Sequence, residues 1–68
     1  MNSFTQEKIT ALCERGETLQ RKANYSVFQL SHSKTEPQRE ELTQSILAEL
    51  FEIRGIFKLI IKAVENGK

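Results

Sequence analysis

The apolar residues of the C-terminal half follow one another at spacings of four and three. Ile46, Leu50, Ile53, Phe57, Ile60 and Val64 form a single row, and that spacing is the helical period. The stretch Thr35 to Lys68 therefore reads as one long amphipathic helix. Placing residues about 100° apart sets this row, with Leu42, Leu47, Ile56, Ile61 and Ala63, on an arc of roughly 200°. Phe51 lies near the arc's edge and Leu59 on the far side. A surface helix needs little more than 100° for its own core, so the second helix carries more apolar surface than one neighbour can cover.

The N-terminal half keeps the same rhythm with smaller residues. Ile9, Leu12, Gly16, Leu19, Ala23 and Leu30 form a seam, with Cys13 and Val27 at its margin, and the arc is roughly 120°. Ser3 is expected to cap this helix, with Gln6 completing a capping box. Glu17 and Arg21 are four apart and suited to a solvent-side pair. Between the two patterns, Ser31 to Lys34 is a run of small polar residues and reads as a loop. Thr35 then starts the second helix, with Gln38 three residues on and Pro37 in the first turn, where no intrahelical donor is needed. Glu36, Glu40 and Glu41 suit this end of the helix dipole, Lys58 and Lys62 lie toward the other, and Asn66-Gly67 suits a stop.

The expectation is all-α: an antiparallel two-helix hairpin, coiled-coil-like, forming one domain over residues 1–68 and completed by another chain. Helix 1 spans about residues 3–31, the loop about 32–35 and helix 2 about 36–65. Two helices joined by a short loop bury each other's seams by lying antiparallel. Counting outward from the loop sets Val27 near Leu42, Ala23 near Ile46, Leu19 near Leu50, Leu12 near Ile56 or Phe57, and Ile9 near Ile60. Leu50 then belongs to the core. Leu47, Phe51 and Ile61 fall to one flank of helix 2, and Ile56 and Ala63 to the other. Gly16 and Gly55 each weaken a helix by about 1 kcal/mol relative to alanine.

Composition narrows the function classes. The chain has 68 residues, ten basic and nine acidic side chains and a net charge of +1, without the positive field of a nucleic-acid binder. A chain of this length has a marginal core and gains stability by associating. The single cysteine, Cys13, allows no intrachain disulfide, which fits a reducing, cytoplasmic setting. No apolar run is long enough for a membrane span.

Candidate chemistry is sparse. His32 is the one histidine and falls in the loop, while Cys13 is placed on the helix 1 seam at the other end of the hairpin. Neither a zinc site nor a Cys–His nucleophile is expected. No glycine-rich phosphate loop is present. The expectation is a non-enzymatic chain without catalytic, cofactor or metal residues. Its candidate partner-binding residues are Leu47, Phe51, Ile56 and Ile61 on helix 2, joined by Tyr25 and Phe28 on the flank of helix 1.

In layout the chain resembles the small hairpin co-chaperones of the type III secretion needle subunit. The likeness lies in chain size, two helices, a polar loop near the middle and a C-terminal helix ending in an apolar run, here IFKLIIKAVENGK. The resemblance implies that helix 2 binds a larger helical chaperone and that the two keep a needle subunit soluble in the cytosol before export. Needle subunits are themselves short helical hairpins with a proline-containing turn. This chain has Pro37 near such a place but lacks paired prolines. The alternative from composition and pattern is a homodimeric four-helix bundle of regulatory type, bacterial or phage, in which two copies cover each other's wide faces.

Overall fold

A computed structural model describes residues 2–67. Two helices, α1 (Ser3–Ser31) and α2 (Glu36–Asn66), pack against each other as an antiparallel hairpin. Its dimensions are 51 × 14 × 11 Å, and its radius of gyration is 15.6 Å. A compact chain of this length would have about 11 Å, so the molecule is a rod two helices thick.

The capping chemistry explains where the helices begin. At α2 the Thr35 hydroxyl accepts from the Gln38 N–H at 3.4 Å, and Pro37 sits in the first turn. At α1 the cap is Asn2, one residue before the expected Ser3: its side-chain oxygen accepts from the Thr5 N–H at 2.8 Å. Asparagine caps as well as serine, and taking Asn2 brings Ser3 into the first turn. The connection from His32 to Thr35 is held by Ser33, whose hydroxyl and N–H both donate to the Leu30 carbonyl. The Glu17–Arg21 pair forms at 3.8 Å with both side chains largely exposed, where such pairs contribute little.

The seam between the helices has strict heptad spacing. On α1 the covered positions are Thr5, Ile9, Leu12, Gly16, Leu19, Ala23, Ser26 and Leu30. On α2 they are Leu42, Ile46, Glu49, Ile53, Ile56, Ile60 and Ala63, with Val64 half-covered beside Ala63. This is not the row that an all-apolar reading selects. Ile46, Ile53 and Ile60 are shared and Val64 stays half-covered, but Glu49 and Ile56 take the places expected for Leu50 and Phe57, and Ala63 is buried beside Val64. Ile56 is 6% exposed and Glu49 5%, whereas Leu50 and Phe57 are 51% and 59% exposed.

Size matching and one hydrogen bond account for the choice. Ile56 lies opposite Gly16: a Cβ built on Gly16 would meet Ile56 Cγ2 at 3.6 Å. Glu49 is met by Ser26, whose hydroxyl donates to Oε1 at 2.9 Å. The register shifts accordingly. Ile56 faces Gly16 rather than Leu12, about one helical turn away.

The core is thin. Among the described residues the buried apolar side chains are Ala23, Ile56 and Ala63, and no large side chain is fully enclosed. Cys13, expected at the margin of the seam, is exposed.

Candidate partner-binding face

With the seam located, one flank of α2 gathers much of the uncovered apolar surface, while Phe4, Tyr25, Val27 and Phe28 are exposed on α1. Leu50 and Phe57 sit one residue beyond the seam positions Glu49 and Ile56, which turns them about 100° away from α1. Leu47 and Ile61 lie next to them, and Phe51 lies further round. All five are more than half exposed, Phe51 most of all at 74%. The opposite flank of α2 carries Ser45, Glu52 and Asn66, with Leu59 as its one large apolar residue.

α1 completes the face on its inner edge. A shallow groove of about 380 Å³ runs between the helices there, lined by Cys13, Gly16, Glu17 and Gln20 from α1 and by Leu50, Ile53, Ile56, Phe57 and Ile60 from α2. Gly16 opens the groove by having no side chain, and Ile53 and Ile60 form its floor. Groove and flank make one continuous apolar surface along the middle of the rod. Two charged residues of α2, Arg54 and Lys58, interrupt it, and Glu17 stands on its α1 rim. Arg54 and Lys58 are both exposed, and neither belongs to an ion pair among the described residues.

The expected site residues divide three ways. Leu47, Phe51 and Ile61 share the exposed flank. Ile56 does not: it packs against α1 within the seam, and its contribution is to the hairpin itself. Tyr25 and Phe28 are exposed but lie on the outward side of α1, away from the α2 flank. The Phe28 ring stacks on His32 at 4.5 Å between centroids, and the His32 Nδ1 lies 3.0 Å from the Phe28 carbonyl oxygen and from Ser31 Oγ. That arrangement closes the end of α1 and does not extend the face.

Leu50 and Phe57 are the face residues that the apolar pattern alone assigns to the core. The signal that places them outside is the seven-residue spacing from Leu42 through Glu49 and Ile56 to Ala63, which continues without a break if a glutamate is allowed in the seam.

Among the described residues, no group of three or more His, Cys, Asp or Glu side chains is placed to hold a metal ion. No described helix is long and apolar enough to cross a membrane. Comparison with family models, curated proteins and solved structures yields no match to this chain.

Proposed function

We propose that this chain is a non-enzymatic adaptor of the co-chaperone type, which works by offering the exposed flank of α2 to another helical protein. The observation that carries the reading is the row Leu47, Leu50, Phe51, Phe57 and Ile61, more than half exposed and confined to one side of one helix. A continuous patch of large apolar side chains marks an interaction surface. The layout shared with the small hairpin co-chaperones of type III secretion suggests the biological setting. In that setting a larger helical chaperone covers α2, and the assembly holds a needle subunit soluble in the cytoplasm before export.

The surface area supports association. A compact monomer of 7.8 kDa exposes about 4,400 Å². This hairpin exposes 5,524 Å², an excess of about 1,100 Å². A standard protein interface buries about 800 Å² on each partner.

The test is co-expression with a helical-repeat chaperone and a needle subunit from the same host, followed by mass measurement of the purified species. A soluble three-component complex that Phe51→Ala or Phe57→Ala breaks apart is the expected result. A chain that stays monomeric and soluble, and leaves the other two proteins unaffected, removes this reading. A stable dimer that the same substitutions dissociate replaces it with the homodimeric bundle.

A further inference from the structure

Resting on the adaptor reading, we infer that the exposed flank of α2 is built for an amphipathic helix of a different protein, one whose apolar seam is bordered by carboxylates, and not for a second copy of this chain. The argument is one of charge and symmetry. Arg54 and Lys58 are the charges that α2 contributes to the apolar surface, both are basic, and neither has an acidic partner among the described residues. Arg54 stands midway between Leu47 and Ile61, near the centre of the patch.

Two copies joined by a two-fold axis repeat the same surface on both sides. If α2 packs on α2 about the centre of the patch, Arg54 meets Arg54 of the second copy, and Lys58 adds to the repulsion. Like charges facing each other across an interface select against that pairing. If each α2 packs on the other copy's α1 instead, the large side chains of α2 fall on Thr10, Cys13, Glu17, Gln20, Asn24 and Val27 of α1, of which only Cys13 and Val27 are apolar. That row offers little apolar area to cover them.

A helix from another protein meets neither obstacle. Its apolar residues can enter the groove beside Gly16 and Phe57, in the helix-in-groove mode. Its carboxylates can reach Arg54 and Lys58 on the outer side. Glu17, on the α1 rim of the groove, lies 3.8 Å from Arg21, and the two basic residues of α2 outnumber it, so the net charge on the face is positive.

Two synthetic helical peptides test this, with the same leucine seam and either glutamate or lysine along both borders. Binding to the full chain is measured at low and high salt, and the bound position is read from alkylation of Cys13, the only cysteine, which lines the groove. The glutamate peptide is expected to bind about ten-fold tighter, as two ion pairs of modest strength give. It should slow Cys13 alkylation and lose its advantage at high salt, and the R54E/K58E double variant should reverse the preference. A chain that is already dimeric, with Cys13 protected before peptide is added, overturns the inference. Equal binding of the two peptides, abolished by Phe57→Ala, overturns the charge selection alone and leaves the docking face standing. A monomer that binds neither peptide removes both the inference and the adaptor reading beneath it.

Discussion

The Ser26 hydroxyl and the Glu49 carboxylate meet at 2.9 Å within the seam, in its half nearer the loop, one from each helix. Ser26 Oγ also lies 3.1 Å from the Lys22 carbonyl, and a hydroxyl has a single proton to donate. Glu49 Oε2 is buried with no hydrogen-bond partner. The polar layer is therefore under-supplied with donors, and Ser26 is the one that makes Glu49 tolerable inside.

Removing that donor should cost more than removing both groups. Ser26→Ala leaves a buried carboxylate with neither oxygen satisfied, and is expected to destabilise the hairpin by about 1–3 kcal/mol. Glu49→Leu, which fills the layer with apolar volume, should be neutral or stabilising. In the double variant most of the Ser26→Ala cost should vanish. Thermal melts of the four proteins measure this. An equal cost for Ser26→Ala with and without Glu49 shows that the two residues act independently.

Core and face should separate in truncation experiments. Ile56→Ala removes a side chain buried against Gly16 and is expected to cost about 2 kcal/mol or more of folding stability. Phe51→Ala removes an exposed side chain, and its effect on the isolated hairpin should stay within about 0.5 kcal/mol. Leu50→Ala removes a half-exposed one and should cost about 1 kcal/mol, less than Ile56→Ala. In a complex that covers α2, the central face residues should each cost about 2 kcal/mol of binding. Urea melts of the free chain and titrations with the partner give the two numbers. A Leu50→Ala chain that unfolds as readily as Ile56→Ala returns Leu50 to the core.

Gly16 offers a graded test of packing. The nearest heavy atom to an added Cβ is Ile56 Cγ2 at 3.6 Å, an ordinary contact. Gly16→Ala should therefore recover the helix propensity that glycine lacks, about 1 kcal/mol, and raise the melting temperature. Gly16→Leu exceeds the available space and should destabilise by about 1–3 kcal/mol. Gly55, with nothing within 4 Å of its added Cβ, should accept alanine with a similar gain. A drop in melting temperature for Gly16→Ala is the outcome that contradicts the Gly16–Ile56 pairing.

Cys13 should behave as a surface thiol. It is exposed, so Cys13→Ser is expected to change stability by less than about 0.5 kcal/mol. Iodoacetamide should modify the folded chain at nearly the rate seen in denaturant. Slow modification of the free hairpin places Cys13 in the seam after all.

The helices and their ends were legible because they depend on local chemistry. Thr35, Pro37 and the polar run before them mark the start of α2, and the observed spans match the expected ones apart from Asn66. The rotation of α2 was not legible from apolar residues alone. Glu49 looks like a solvent residue, so the row through Leu50 and Phe57 looks more continuous than the true one through Glu49 and Ile56. What admits Glu49 is Ser26, a residue 23 positions away whose role depends on the register. The register depends in turn on setting Ile56 against Gly16. Leu47, Phe51 and Ile61 were placed on the exposed side under either rotation, because they stand well away from both rows.

The thin seam has a consequence for the life of the protein in its host. Where few side chains are enclosed, the free chain has little stability in reserve, and a partner that binds the folded form adds to it. Each ten-fold excess of free partner over the dissociation constant adds about 1.4 kcal/mol to apparent stability. Copies made beyond the supply of partner are then the ones that open, and the ones proteases remove. If the proposed partner exists, the abundance of this chain is expected to follow that of the partner, with no dedicated regulator. A pulse-chase measurement shows this as a short half-life in cells lacking the partner and a longer one when the partner is restored.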